Sequence, residues 1–239
     1  VDLSRMEMVL GPDAVDALRR SSALVFGIGG VGSHALEALA RCGLGRIGLV
    51  DFDTIAASNI NRQIPALVGT VGQLKAEVMA QRIRAINPDC QVQVDTRRYE
   101  PGGFGALFGP GYDAVIDAVD DVAAKVDLCL ETRARGLPFV SVMGTGNKIA
   151  PEFLTCTDIA RTETCPLARV VRKRLRSEGV TSGVRVIWSR EMPRRWNPET
   201  AVPGSLTFVP ASAGLLAASV IVRDLLARAG HLADPPRAS

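Results

Sequence analysis

The sequence predicts an α/β fold: a Rossmann-like, doubly wound, mostly parallel sheet with a smaller C-terminal portion. Three observations carry this. Strand and helix patterns alternate through the first half, a glycine-rich turn joins the first strand to the helix after it, and later strands end in aspartates. With 239 residues, 47% of them hydrophobic and 22% charged, the chain can bury a sizeable core.

Residues 12–20 read as a short helix with Pro12 in its first turn, where the missing N–H costs nothing. Residues 23–28 (ALVFGI) are a continuous apolar run, as a parallel strand buried on both faces requires. A helix over 32–42 closes at Gly43, and 46–50 (RIGLV) completes a βαβ unit. After a polar stretch over 53–70, a helix over 72–86 stops at Asn87-Pro88, because the residue before proline avoids the helical region. Strands follow at 90–94, 112–118 and 139–143, with a helix over 122–135 and a turn at Gly136-Leu137-Pro138. Past Gly144 the pattern changes. Strands at 153–157 and 184–189 flank a basic helix over 166–178, a polar proline-containing loop covers 193–204, and a helix of small apolar residues covers 211–229.

A net charge of +3 is too mild by itself to indicate nucleic acid. The five cysteines (Cys42, Cys90, Cys129, Cys156, Cys165) are odd in number, scattered and without a C-x-x-C pair, which argues against structural zinc and a disulfide framework. No basic leader precedes an apolar stretch, and the longest apolar run, 211–222, is short of a bilayer span. The expectation is a protein of the cytoplasm with no membrane association.

The glycine turn, Gly27-Ile28-Gly29-Gly30-Val31-Gly32, suits a nucleotide. Gly27 permits the tight turn, Gly29 and Gly30 let phosphates approach the backbone, and Gly32 lets the helix pack closely, so that its N-terminal N–H groups meet anionic oxygens. Asp51 lies 19 residues beyond Gly32 at a strand end, where a carboxylate accepts from ribose hydroxyls; Asp53 either joins it or caps the turn. A dinucleotide needs little more, whereas a triphosphate needs cationic side chains and a divalent ion. Arg62 and Lys75 supply the first, and Asp120, with Asp121 beside it, supplies a ligand for the second; Asp117 reads as structural. The choice therefore falls on ATP with Mg2+ over NAD. On this basis residues 1–143 are the ATP-binding part and 144–239 a substrate-binding portion continuous with the same domain.

The series GIGGVG, DFD, SNINRQ, VGQLKAE, INP and DAVDD resembles the adenylating enzymes that include the molybdopterin-synthase and thiamine-pathway adenylyltransferases and the ubiquitin-activating enzymes. The resemblance implies a homodimer that uses ATP and magnesium to convert a carboxylate to an acyl adenylate. It implies that Asp51 binds ribose, that Asn59, Arg62 and Lys75 bind phosphates, and that Asp120 holds magnesium. Arg5 matches an arginine that reaches into the partner's triphosphate site.

The second half, with TDIART, CPLAR and GSLTFVPASAG, resembles the threonylcarbamoyladenosine dehydratase branch of that family. That branch implies a tRNA substrate carrying threonylcarbamoyladenosine, a monovalent cation (Na+ or K+), and a cysteine desulfurase partner system. Arg169, Arg172, Lys173, Arg174 and Arg176, followed by Arg185, Arg190, Arg194 and Arg195, would then face RNA rather than solvent alone. Two alternatives remain open at this point: an adenylyltransferase for a small sulfur-carrier protein, and a non-catalytic nucleotide-binding or dehydrogenase-like module.

Overall fold

A computed structural model describes residues 1–109, 111–194, 196 and 202–232. Seven strands, β1 (Ser22–Phe26), β2 (Arg46–Val50), β3 (Gln91–Asp95), β4 (Ala114–Asp117), β5 (Phe139–Val142), β6 (Leu154–Asp158) and β7 (Arg185–Ser189), form one sheet in the order β3-β2-β1-β4-β5-β7-β6. All neighbours are parallel except β6, which runs antiparallel to β7 at the edge. The chain leaves β1 towards β2 on one side and later returns to β4 on the other. That reversal opens a crevice at the carboxyl ends of β1 and β4.

Among the described residues there are eight α-helices: α1 (Ser4–Leu10), α2 (Pro12–Arg19), α3 (Gly32–Arg41), α4 (Lys75–Ile86), α5 (Phe104–Phe108), α6 (Val122–Ala134), α7 (Pro166–Ser177) and α8 (Phe208–Arg228). The strands expected at 153–157 and 184–189 extend the nucleotide-side sheet, since β7 pairs directly with β5. Two helices, α1 and α5, were not legible. The first buries none of its own residues and has no side-chain cap; the second is five residues long and lies between glycines.

The helix expected over 211–229 is the 21-residue α8, and by length and composition alone it would suit a bilayer, which the 211–222 run did not. Its packing supplies another reason for that composition. It lies chiefly on α3, over β4 and β5, and a side chain at Gly214 would stand 2.3 Å from the Val31 carbonyl of the glycine turn. Small residues let the two helices close on each other, and 56% of its most apolar stretch is buried.

On the opposite face, below the crevice, a charge pair is fully buried. Lys125 of α6 donates to Asp117 Oδ2 at 3.0 Å, to Ser141 Oγ at 3.2 Å and to the Val142 carbonyl at 2.8 Å. Asp117 is structural, as expected, but its lysine partner carries no signal in the local sequence.

Candidate active site

The carboxyl ends of β1, β2, β4 and β5 surround a cavity of about 820 Å³. Gly27, at φ +83°, makes the turn out of β1; a Cβ there would meet the Ala118 carbonyl oxygen at 2.7 Å. Gly32 begins α3, where a Cβ would lie 1.8 Å from the Gly27 oxygen, so only hydrogen fits between turn and helix. Gly27, Gly29 and Gly30 line the cavity, and Gly32 sits behind them. His34 Nδ1, on α3, lies 2.8 Å from the Gly30 carbonyl of the glycine turn, as suits a packing residue rather than a catalyst.

Asp51 is 8% exposed at the end of β2 and accepts the backbone N–H groups of Ile28 and Asp53. Burial raises its carboxyl above the usual aspartate value, and those two N–H groups pull the other way. Asp53 is half exposed and pairs with Lys75 Nζ at 2.7 Å, which holds the buried lysine amine at the cavity rim. Asn59 spends its side-chain oxygen on the Ala56 N–H at 3.0 Å, closing a short turn of 3-10 helix over Ala57–Asn59. The Arg62 guanidinium is held by the Ser58 carbonyl and Asn61 Oδ1, each at 2.8 Å, and by no carboxylate among the described residues. Asp120 is exposed at the end of β4 and has no hydrogen bond among the described residues, so both its oxygens are open to a cation. Asp121 lines the cavity too, but one of its oxygens accepts the Ala124 N–H at 2.8 Å and caps α6.

Ten of the twelve predicted positions therefore line one cavity. Gly32 and Arg5 do not. Arg5 lies exposed on α1, away from the cavity of its own chain.

The cavity continues past the nucleotide motifs to a far wall made by 144–148, 165–167 and 202–205, which sequence reasoning did not assign. Asn147, at φ +59°, exchanges two hydrogen bonds of 2.7 Å with Gly204, and Asn61 donates to the Ser205 carbonyl at 2.8 Å, so the 204–205 segment is tied to both halves. Gln63 is buried in the same cavity with its side-chain oxygen unpartnered among the described residues, and Arg98 stacks 5.2 Å over the Phe52 ring at its rim. None of these had a readable spacing. Cys165 is buried in the far wall as well, and Cys129 is core, whereas Cys42 is only partly buried.

The basic helix needs correction. Arg172 donates from Nη1 to the Thr162 carbonyl at 2.6 Å and to its hydroxyl, so it pins α7 to the preceding loop. Arg185 is paired with Asp224 of α8. Arg161, Arg169, Lys173, Arg174 and Arg176 are exposed, and Arg169, Lys173 and Arg174 border a shallow groove of about 560 Å³. Arg195 lies outside the described residues.

A doubly wound sheet with a glycine turn, a buried strand-end aspartate, two placed cations and an open strand-end aspartate at its switch point defines a nucleotide-binding protein of the adenylating class. The ThiF family profile matches residues 3–236, and the chain belongs to that family. It is 42% identical over 238 residues to the tRNA threonylcarbamoyladenosine dehydratase of Bacillus subtilis, covering 93% of this chain and 94% of that one. Its structure is similar to those of the Escherichia coli tRNA N6-threonylcarbamoyladenosine dehydratase in complex with AMP and in complex with ATP. Each has a TM-score of 0.89 and 38% identity, covering 95% of both chains.

Proposed function

We infer that this protein is an ATP-dependent dehydratase acting on threonylcarbamoyladenosine in tRNA. The observation that carries the reading is the single cavity that runs from the glycine turn to the far wall. It holds a nucleotide at one end and leaves the other for a second substrate, and the relatives' names supply that substrate. A carrier-protein adenylyltransferase is favoured by no comparable feature of the second half.

In this reading the α3 N-terminus and Arg62 and Lys75 take the phosphates, Asn59 supports them through its free amide, and Asp51 accepts the ribose hydroxyls. Magnesium fits the donor set. Among the described residues no three His, Cys, Asp or Glu side chains cluster, so the ion would take Asp120 and otherwise phosphate oxygens and water, an arrangement common for Mg2+. The threonyl carboxylate attacks the α-phosphorus and pyrophosphate leaves. The neighbouring carbamoyl group then attacks the acyl carbon, AMP leaves, and a ring closes with net loss of water. An intramolecular nucleophile at high effective molarity needs no enzyme thiol, so Cys165 has no step to perform. The test is stoichiometric: AMP and pyrophosphate should form in equal amounts on adding tRNA that carries the modification. They should not form with unmodified tRNA or with a carrier protein ending in Gly-Gly; AMP transfer to the carrier alone would overturn the assignment.

The protein is a homodimer in this account, with Arg5 completing the partner's triphosphate site. Support comes from Arg5 lying outside its own cavity and from Met8 and Val9 beside it on α1, which are 77% and 81% exposed. Light scattering at micromolar concentration should give the dimer mass. A monomer there would remove both the dimer and the role of Arg5.

RNA is expected along the exposed face of α7. Replacing Arg169, Lys173 and Arg174 together with alanine should weaken RNA binding and lower the slope of log affinity against log salt by about 2–3. ATP affinity should not change. An unaltered salt slope would place the RNA elsewhere.

A further inference from the structure

Lys148 stands in the far wall of the cavity, on the loop that follows β5, and is 3% exposed. Its ammonium donates to the Gly144 carbonyl at 3.0 Å and to the Ser189 carbonyl at 3.4 Å. An ammonium has three N–H donors, so one remains without a partner among the described residues. No carboxylate of those residues pairs with it within 4.0 Å. Cys165 and, after it, Glu191 attract it without a contact, and the Glu191 carboxylate already accepts the backbone N–H groups of Ile149 at 3.1 Å and Ala150 at 3.0 Å and lies 3.7 Å from Arg194 Nε.

The contrast with Lys125 is informative. That lysine is equally buried but meets Asp117 directly, so its charge is compensated within the fold. Burying an ammonium against two neutral carbonyls is costly, and an apolar side chain would pack there without the cost. Lys148 is also the sole charged side chain among the described residues of the far wall at 144–148, 165–167 and 202–205.

On the dehydratase reading given above, we propose that Lys148 is the binding residue for the substrate's free carboxylate. It receives the threonyl carboxylate as the modified base enters the far end of the cavity, and it orients one oxygen while the other faces the nucleotide. Selection for an acid-bearing modification then resides at one buried ammonium. RNA phosphates outside the cavity contribute affinity without this selectivity. Burial depresses the Lys148 pKa, and a carboxylate placed beside the amine would oppose that depression.

The experiment compares two anticodon stem-loop RNAs, one with threonylcarbamoyladenosine and one with its carboxylate as the methyl ester. Binding is measured by fluorescence anisotropy with AMP present, so that no turnover occurs. The parent protein should hold the acid about tenfold or more tighter than the ester, as for a charge-assisted hydrogen bond. Lys148→Met and Lys148→Gln should each bind AMP like the parent and lose most of that preference. A folded variant that keeps the full acid preference, or a parent protein with none, overturns the proposal. In parallel, the amine nitrogen of 15N-lysine-labelled parent protein should shift on adding the acid RNA and not the ester; equal shifts with both count against the proposal even if neither variant folds. Failure of the parent to cyclise the acid RNA with ATP and magnesium would instead contradict the dehydratase reading, and the binding ratio is read independently of it.

Discussion

Lys75→Ala is expected to slow acyl-adenylate formation by about 10²–10³-fold, the cost of removing one placed donor from developing charge. The amine is buried at the start of α4 and fixed 2.7 Å from Asp53, so it is positioned before any nucleotide arrives. On the proposed function, charge transfers to the departing pyrophosphate during attack on the α-phosphorus, and a lysine already in place would stabilise that charge more than it stabilises bound ATP. The loss should therefore appear mainly in single-turnover rate, with a smaller change in ATP affinity. The fold should survive, because Asp53 is half exposed and water replaces the lost partner. Asp120→Ala should likewise abolish magnesium-dependent turnover. An unchanged single-turnover rate in either variant would take that residue out of the reaction.

The second large effect concerns stability. Lys125→Met should destabilise the protein by about 3–5 kcal/mol, because it leaves the Asp117 carboxylate buried without its counter-charge. Adding Asp117→Asn to that variant should recover a substantial part of the loss, since the uncompensated charge is then gone. Chemical denaturation of the single and double variants measures both terms. Equal stability of the single variant and the parent would show that the pair contributes nothing. The pair also bears on the site, because Asp117 accepts the Val119 N–H at 3.1 Å and so shapes the strand end that presents Asp120.

What the sequence made legible follows from how local each feature is. The strands β1 and β2 and the glycine turn are written in contiguous residues, and so are Asp51, Arg62 and Lys75, whose chemistry is recognisable beside that turn. Lys125 and Lys148 were not legible, because a lysine on a helix or loop is ordinarily solvated and only tertiary packing buries these two. The same holds for Asn61 and Asn147, whose partners Ser205 and Gly204 lie 144 and 57 residues away. The basic helix shows the converse error. Its charge was visible, but Arg172 turned out to be committed to Thr162, a contact that composition does not encode.

On the proposed function, this cavity closes a ring on a modified adenosine at the expense of ATP. Its most direct test is mass spectrometry of the nucleosides released from tRNA carrying threonylcarbamoyladenosine after incubation with the purified protein, ATP and magnesium. The modified nucleoside should be replaced by one lighter by a single water, and only when ATP is present. A nucleoside of unchanged mass after ATP has been converted to AMP, or a loss of water that needs no ATP, would contradict it.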